Sequence, residues 1–492
     1  MSQQDEIPNG AACDVECALV AETDPAEVVT LSASPSEPWI FAPITVIIQQ
    51  MSMKKPPPAP IPKIETNTAF FLETLVPFLF AGLGLIFAGL LLEDAETWTF
   101  FTEMPDAVTL VPTLVGLKGN LEMTLASRLS TLANLGFMET KKQKWQVACS
   151  NMALIQTQAI VISSIAVIPA VVFGEKPVVF EFDVGDFLCV LLSAIATASL
   201  ASLMLGTLMI GVVITAKKFK INPDNITTPV AASLGDVSTL FILLGVGTLL
   251  MKLRENHSWL LVIMLFFFYL IAGVGAVVAS RDHFTVEVLK HGWWAVLAAM
   301  TLTTLSGFIL KTAMHKYPPI AAFQPLINGV GGNLVSVQAS RISTGLHRAR
   351  KNQIHDAKSL WTYANPWHAF INNHEDSVAA RILMGISIPG NLIFINTIFM
   401  FDCGFANTIP FTATFLLVSL FQIMLLLYLC QLLVRVMWRL RIDPDSSAIP
   451  LLTAVGDLLG GIFLIGCFWT ASNVYHMKVE RVYFASEHLG VH

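Results

Sequence analysis

After residue 65 the chain alternates long apolar stretches with short polar connections. Runs of spanning length fall at 70–92, 109–132, 146–173, 187–216, 227–251, 258–279, 292–313, 320–343, 380–401, 408–434 and 447–472. Each supplies the roughly 20 residues that an α-helix needs to cross about 30 Å of hydrocarbon. The pattern predicts eleven transmembrane helices. The second and eighth are the least apolar, rich in Gly, Asn, Ser and Thr, and hydropathy alone would miss them. Before them, residues 1–65 read as a disordered tail ending in the proline-rich KKPPPAPIPK, and the apolar patch IFAPITVII within it is too short to span.

Composition agrees with a membrane class and excludes others. The chain is 54% hydrophobic and 13% charged over 492 residues, against about a quarter charged in an ordinary soluble domain. The net charge of -6 carries no basic patch interleaved with aromatics, so no nucleic-acid partner is expected. The first residues lack a basic stretch followed by an apolar one, so no cleaved signal peptide is expected. Neither HExxH nor GxSxG occurs, which argues against a membrane enzyme. Cysteines scattered through tail and membrane segments indicate no disulfide framework. Lys and Arg concentrate on one side of the membrane, at Lys54, Lys55, Lys63, Lys141, Lys142, Lys144, Lys217, Lys218, Lys220, Arg348, Arg350, Lys351, Arg435, Arg439 and Arg441. That side is cytosolic by the positive-inside rule, which puts the N-terminus inside and the C-terminal tail 473–492 outside.

The chain repeats itself. PTLVGLKGNLEMTLASRLST at 112–131 aligns without gaps on PLINGVGGNLVSVQASRIST at 325–344, with ten of twenty positions identical. INPDNITTPVAASLGDVSTL at 221–240 aligns on IDPDSSAIPLLTAVGDLLGG at 442–461, so that Asp236 falls on Asp457. The expected organisation is a first five-helix repeat at 66–251, a linker helix within 252–283, and a second repeat at 284–472 with a polar loop at 345–379. The odd linker crossing sets the repeats parallel, related by a pseudo-two-fold axis along the membrane normal. One chain would then carry both halves of the pathway as a fused pseudo-dimer, acting as a monomer or within a higher oligomer, with lipid as its surroundings.

Such an axis lets duplicated side chains converge. An ionised residue at mid-membrane costs roughly 3 kcal/mol or more and marks a site or pathway by default. Asp236 and Asp457 each stand about ten residues, near 15 Å, from the inner end of their helices, and Asn120 and Asn333 stand at a similar depth. Gly119, Gly331 and Gly332 beside the asparagines are expected to loosen the helix and turn carbonyls toward a lumen. Carboxylates, amides and carbonyls are hard oxygen donors, and a sparse set with no Cys or His suits Mg²⁺, which keeps most of its own water. The two repeats differ in charge at one level, where Lys118 aligns with Gly331 and Glu122 with Val335. Lys118 and Glu122 read either as a modifier and a lining residue of the pathway or as a local salt bridge. A structural reading of Asp236 and Asp457, as packing acids, also stands. Arg128 and Arg341 are expected to snorkel to the interface. The histidines of 347–374 read as a solvated linker.

The doubled GxxGN…ASRxST passages and the doubled PxxxxxGD helices resemble the eukaryotic solute carrier 41 family, relatives of the bacterial MgtE magnesium channels, over roughly residues 70–472. The resemblance implies an all-α MgtE-like membrane fold, Mg²⁺ as the transported ion, Asp236 and Asp457 as the magnesium-binding acids, and sodium-coupled efflux with Na⁺ as coupling ion for some members. It implies the plasma membrane, with mitochondrial membranes used by some relatives. The 65-residue tail is too short for the cytosolic regulatory portion of the bacterial proteins. The residues themselves leave exchanger, channel and broader divalent-cation transporter open.

Overall fold

A computed structural model describes residues 66–95, 98–104, 106–172, 184–351, 363–401 and 408–477. The tail 1–65, most of the loop after residue 351 and the last residues from 478 lie outside the described residues. Among the described residues the regular structure is entirely α-helical. The long helices are α1 (Asn67–Ala95), α3 (Asp106–Asn134), α4 (Lys141–Val172), α5 (Val184–Lys218), α6 (Pro223–Ser280), α8 (Trp293–Lys316), α9 (Ile320–Lys351), α11 (Glu375–Met400), α12 (Ile409–Arg439) and α13 (Pro444–Asn473). Short helices α2 (Thr99–Glu103), α7 (His283–His291) and α10 (Pro366–Phe370) connect them. Among the described residues, eight helices are long and apolar enough to cross a membrane. With large apolar side chains such as Phe80, Phe266 and Leu417 exposed along them, the chain is an integral, multi-pass membrane protein.

Helices α3 and α9, of 29 and 32 residues, match their neighbours in length but not in hydropathy, as expected for the second and eighth predicted crossings. Their polar residues are spent inside: Asn120, Ser127, Ser130, Asn333, Ser336 and Ser340 are all buried. The expected break between the fifth predicted crossing and the linker is smaller than its sequence suggests. Residues 223–280 form one helical segment of 58 residues whose sole non-helical backbone is at His257 (φ -149°, ψ 60°). Beyond His257 the chain runs back along α4, where Tyr269 donates to Ser164 at 3.0 Å, Thr157 to the carbonyl of Ala272 at 3.1 Å, and Ser150 to Asp282 at 3.3 Å. The polar loop expected at 345–379 is likewise shortened, because α9 continues to Lys351 and α11 begins at Glu375.

The aligned stretches fold alike down to single hydrogen bonds. After α5, the amides of Phe219, Lys220 and Ile221 donate to the carbonyls of Thr215, Lys217 and Ala216; after α12, those of Leu440, Arg441 and Ile442 donate to Val436, Trp438 and Met437. Both closures carry a left-handed residue, Lys220 and Arg441, each at φ 61°. This is the Schellman arrangement with a long basic residue where glycine is usual. The next helix then starts at Pro223 or Pro444, whose missing N–H costs nothing at a first turn.

Candidate functional site

α1, α3, α6, α8, α9 and α13 surround a cavity of about 80 Å³ lined by Asp236, Asp457, Gly119, Asn120, Asn328 and Thr453 among others. The two aligned acids thus face one space, although their helices belong to opposite halves of the chain. No Lys, Arg or His is among its lining residues, so the charge of the wall is that of two carboxylates. One water needs roughly 10–15 Å³ of such space, so the cavity has room for several.

Each acid is set by its helix. Thr453 stands one turn before Asp457 and donates its hydroxyl to Oδ1 of Asn120, tying α13 to α3. The Ser306 hydroxyl donates to the carbonyl of Asp457 at 2.8 Å, tying α13 to α8. On the other half, a Cβ at Gly119 would stand 4.0 Å from Asp236 Oδ1, and one at Gly332 would stand 3.5 Å from Thr453 Cγ2. Both distances are ordinary van der Waals contacts, so the two glycines face the cavity side of α3 and α9 without being required for the approach of the helices. They do not break the helices: α3 and α9 run unbroken through Gly119, Gly331 and Gly332, so their carbonyls stay in helical bonds and offer no ligands. The oxygens available come from Asp236, Asp457, the amides of Asn120, Gln324 and Asn328, and the hydroxyls of Thr303, Ser306 and Thr453. Asn328 Oδ1 is buried with no hydrogen-bond partner.

Four candidate residues lie elsewhere. Lys118 and Glu122, both fully buried, form an ion pair one helical turn apart, and Lys118 Nζ also donates to Ser202 Oγ of α5 at 2.7 Å. Neither lines the cavity. The pair is a local salt bridge within α3, tied to α5 through Ser202. Gly331 faces α12, where a Cβ would meet Leu426 at 3.0 Å and the Gln422 amide at 3.1 Å. Asn333 is fully buried beside the cavity without lining it, and neither of its amide atoms has a partner. Its copy Asn120 is satisfied by Thr453, and the residue aligned with Thr453 is Ala232, which has no hydroxyl to offer.

Sequence reasoning passed over a second duplicated pair. Asp224 and Asp445, the shared acid of the two NPD and DPD stretches, are buried at the starts of α6 and α13. Ser127 donates to Asp445 at 2.8 Å and Ser340 to Asp224 at 2.9 Å, each serine belonging to the other half. Ser130 also donates to Asp224. The two serines, aligned in the repeats, lie 3.0 Å apart, and aligned Thr131 and Thr344 also lie 3.0 Å apart. Of the arginines of the same motif, Arg128 does not snorkel and Arg341 is half-buried. Arg128 is buried and donates to Asn151, and Arg341 donates to Asn225 at 2.8 Å while its guanidinium sits 4.1 Å from the Phe70 ring centre.

The halves differ at their polar ends. Asn134 donates to Asn222 at 3.0 Å and Asp224 at 2.8 Å; the aligned residues are His347, Asp443 and Asp445, whose ligand-type atoms lie within 4.8 Å of one another. His347, within α9, is therefore part of a half-buried contact and not a solvated linker residue. Burial works against the His347 cation, but the hydrogen bond and charge of Asp443 outweigh it and raise the imidazole pKa. Burial likewise pushes the Asp443 carboxyl up, while His347 and Arg128 hold it below the usual range.

The family model described as MgtE, divalent cation transporter, matches the chain twice, at residues 111–246 and 324–467. Solute carrier family 41 member 2 of Xenopus laevis is 41% identical over 81% of this chain and 72% of its own length. Solute carrier family 41 member 3 of Mus musculus is 38% identical over 86% of each chain, and member 2 of Homo sapiens is 39% identical over 82% of this chain and 70% of its own. No solved structure matches. The chain is not an enzyme but a transporter of divalent cations, and it belongs to solute carrier family 41.

Proposed function

We propose that the protein moves Mg²⁺ across a membrane along the axis between two parallel repeats, with Asp236 and Asp457 jointly holding the hydrated ion midway. The observation that carries this reading is a cavity with room for several waters whose charged lining residues are two acids supplied by duplicated helices. Two carboxylates with no cation beside them are costly in a membrane, and a divalent ion offsets that cost. Two carboxylates among neutral amide and hydroxyl oxygens suit an ion that dehydrates reluctantly and binds through one or two carboxylates.

The proposed topology has eleven crossings: the eight apolar spans, with 223–280 counted twice across His257, plus α3 and α9. The ends of α5, α9 and α12 and the starts of α6 and α13 meet on one face with Lys217, Lys218, Lys220, Arg348, Arg350, Arg439 and Arg441, which makes that face cytosolic. The fused repeats form the pathway within one chain. Sodium-coupled efflux at the plasma membrane is the direction of transport proposed by family.

The test is Mg²⁺ flux into proteoliposomes carrying wild type or Asp236→Asn, with and without a sodium gradient. The reading expects flux in wild type, a loss of tenfold or more in the variant, and faster flux when sodium runs against it. A well-folded variant with wild-type flux would leave the cavity without a role in conduction.

A further inference from the structure

On α3 the lining of the cavity ends at Met123, short of the end of the axis proposed as cytosolic. In a two-fold arrangement, a residue that touches its own copy lies on the axis. Ser127 with Ser340 and Thr131 with Thr344 are such pairs, each 213 residues apart in sequence. They follow Asn120 on α3 by two and three helical turns, which places them about 10 and 16 Å below the acids. All four are buried. Hydroxyl contacts thus occupy the axis where an ion leaving the cavity inward would have to pass.

We propose that these two hydroxyl pairs, held by Asp224 and Asp445, are the inner gate of the transporter, and that this structure is its inner-closed state; the proposal rests on the axial pathway described above. Each acid belongs to the start of the helix that carries a cavity acid one membrane half further on: Asp224 precedes Asp236 on α6, and Asp445 precedes Asp457 on α13. Each reaches across to the serine of the opposite half, Asp224 to Ser340 and Asp445 to Ser127. The latch therefore joins α6 to α9 and α13 to α3, and it opens only if the two halves separate at this end.

Its chemistry suits a gate that must open repeatedly. Ser127 and Ser340 own one hydroxyl proton each but face three contacts: one carboxylate apiece and one another. Two protons cannot satisfy all three at once. The closed state is held by exchangeable hydrogen bonds of neutral donors rather than by an apolar plug or an ion pair. When the halves part, Asp224 and Asp445 lose their hydroxyl partners and face the opening, so that an ion released from the cavity meets a second pair of acids on its way out.

The test is Mg²⁺ flux in proteoliposomes containing Ser127→Cys/Ser340→Cys, oxidised with a membrane-permeant oxidant and then reduced, with each single variant as control. The oxygens are 3.0 Å apart, so sulfurs placed there can bond with only a small shift. The expected result is flux in the reduced protein, loss of flux on cross-linking, recovery on reduction, and no effect of oxidant on the single variants. A pair inactive when reduced is replaced by Thr131→Cys/Thr344→Cys, which reads the next turn of the same axis. Cross-linked protein that still carries Mg²⁺ through either pair overturns the gate, while absence of flux in wild type itself overturns the transport reading.

Discussion

Ser127 and Ser340, 213 residues apart, bring their hydroxyl oxygens to 3.0 Å, and each serine is the other's copy in an aligned stretch. A contact between equivalent residues is what two subunits make across a dyad, here reached within a single chain. The same relation puts Asp236 and Asp457 in one cavity. Duplication thus turns one acid into two without a second chain.

The Lys118–Glu122 pair should matter for stability and not for ion binding. Lys118→Met alone leaves a buried carboxylate unpaired and should cost about 3–5 kcal/mol, whereas Lys118→Met with Glu122→Leu should recover most of it. Thermal unfolding in detergent measures both, and Mg²⁺ affinity of the double variant should stay within twofold of wild type.

Interlocked glycines should be intolerant of a single methyl. A Cβ at Gly82 would collide with the Phe394 ring and one at Gly390 with the Phe78 ring, and those two rings already lie 5.5 Å apart. Gly82→Ala should destabilise by about 1–3 kcal/mol through overpacking. Phe394→Leu in the same chain should relieve most of that loss in the same melting experiment.

Left-handed Lys220 and Arg441 offer the opposite sign. Each holds φ 61°, a region that costs a β-branched residue more than any other and glycine nothing. Lys220→Gly should be neutral or raise the melting temperature, and Lys220→Val should lower it. Equal effects of the two would contradict the Schellman geometry.

The His347–Asp443 contact at 3.1 Å gives a pH dependence confined to the second half. The raised imidazole contributes stability that is complete below its unfolded pKa near 6.5 and is lost as pH rises through the higher folded value. The depressed Asp443 carboxyl contributes above its unfolded pKa near 3.9, and that part is lost as pH falls through the lower folded value. The stability difference between wild type and His347→Asn, which restores the asparagine of the first half, should therefore be largest near pH 5 and shrink toward pH 8.

Much of this architecture was legible because the signals were covalent repeats or hydrophobic length. The spans at 70–92 and 447–472 sit inside helices 67–95 and 444–473, and aligned Asp236 and Asp457 do share a cavity. What was not legible depended on which face of a helix a residue occupies. Lys118 is two residues from Asn120, yet a helix turns about 200° between them, so one reaches α5 and the other the cavity. Asp224 and Asp445 were printed in the aligned stretches, but a helix-start acid after Asn-Pro or Asp-Pro reads as capping chemistry until its partners across the axis are seen. Arg128 looked free to reach water because its acceptor, Asn151, lies on another helix.

The central claim is that Asp236 and Asp457 hold one ion between them. Mg²⁺ binding to the purified protein by titration calorimetry tests it directly, comparing wild type with Asp236→Asn, Asp457→Asn and the double variant. The account predicts one axial site in wild type, a loss of at least tenfold in affinity from either substitution, and little further loss from the second because the acids act as a unit. Two sites lost one at a time, or a single variant that binds as wild type does, would contradict it.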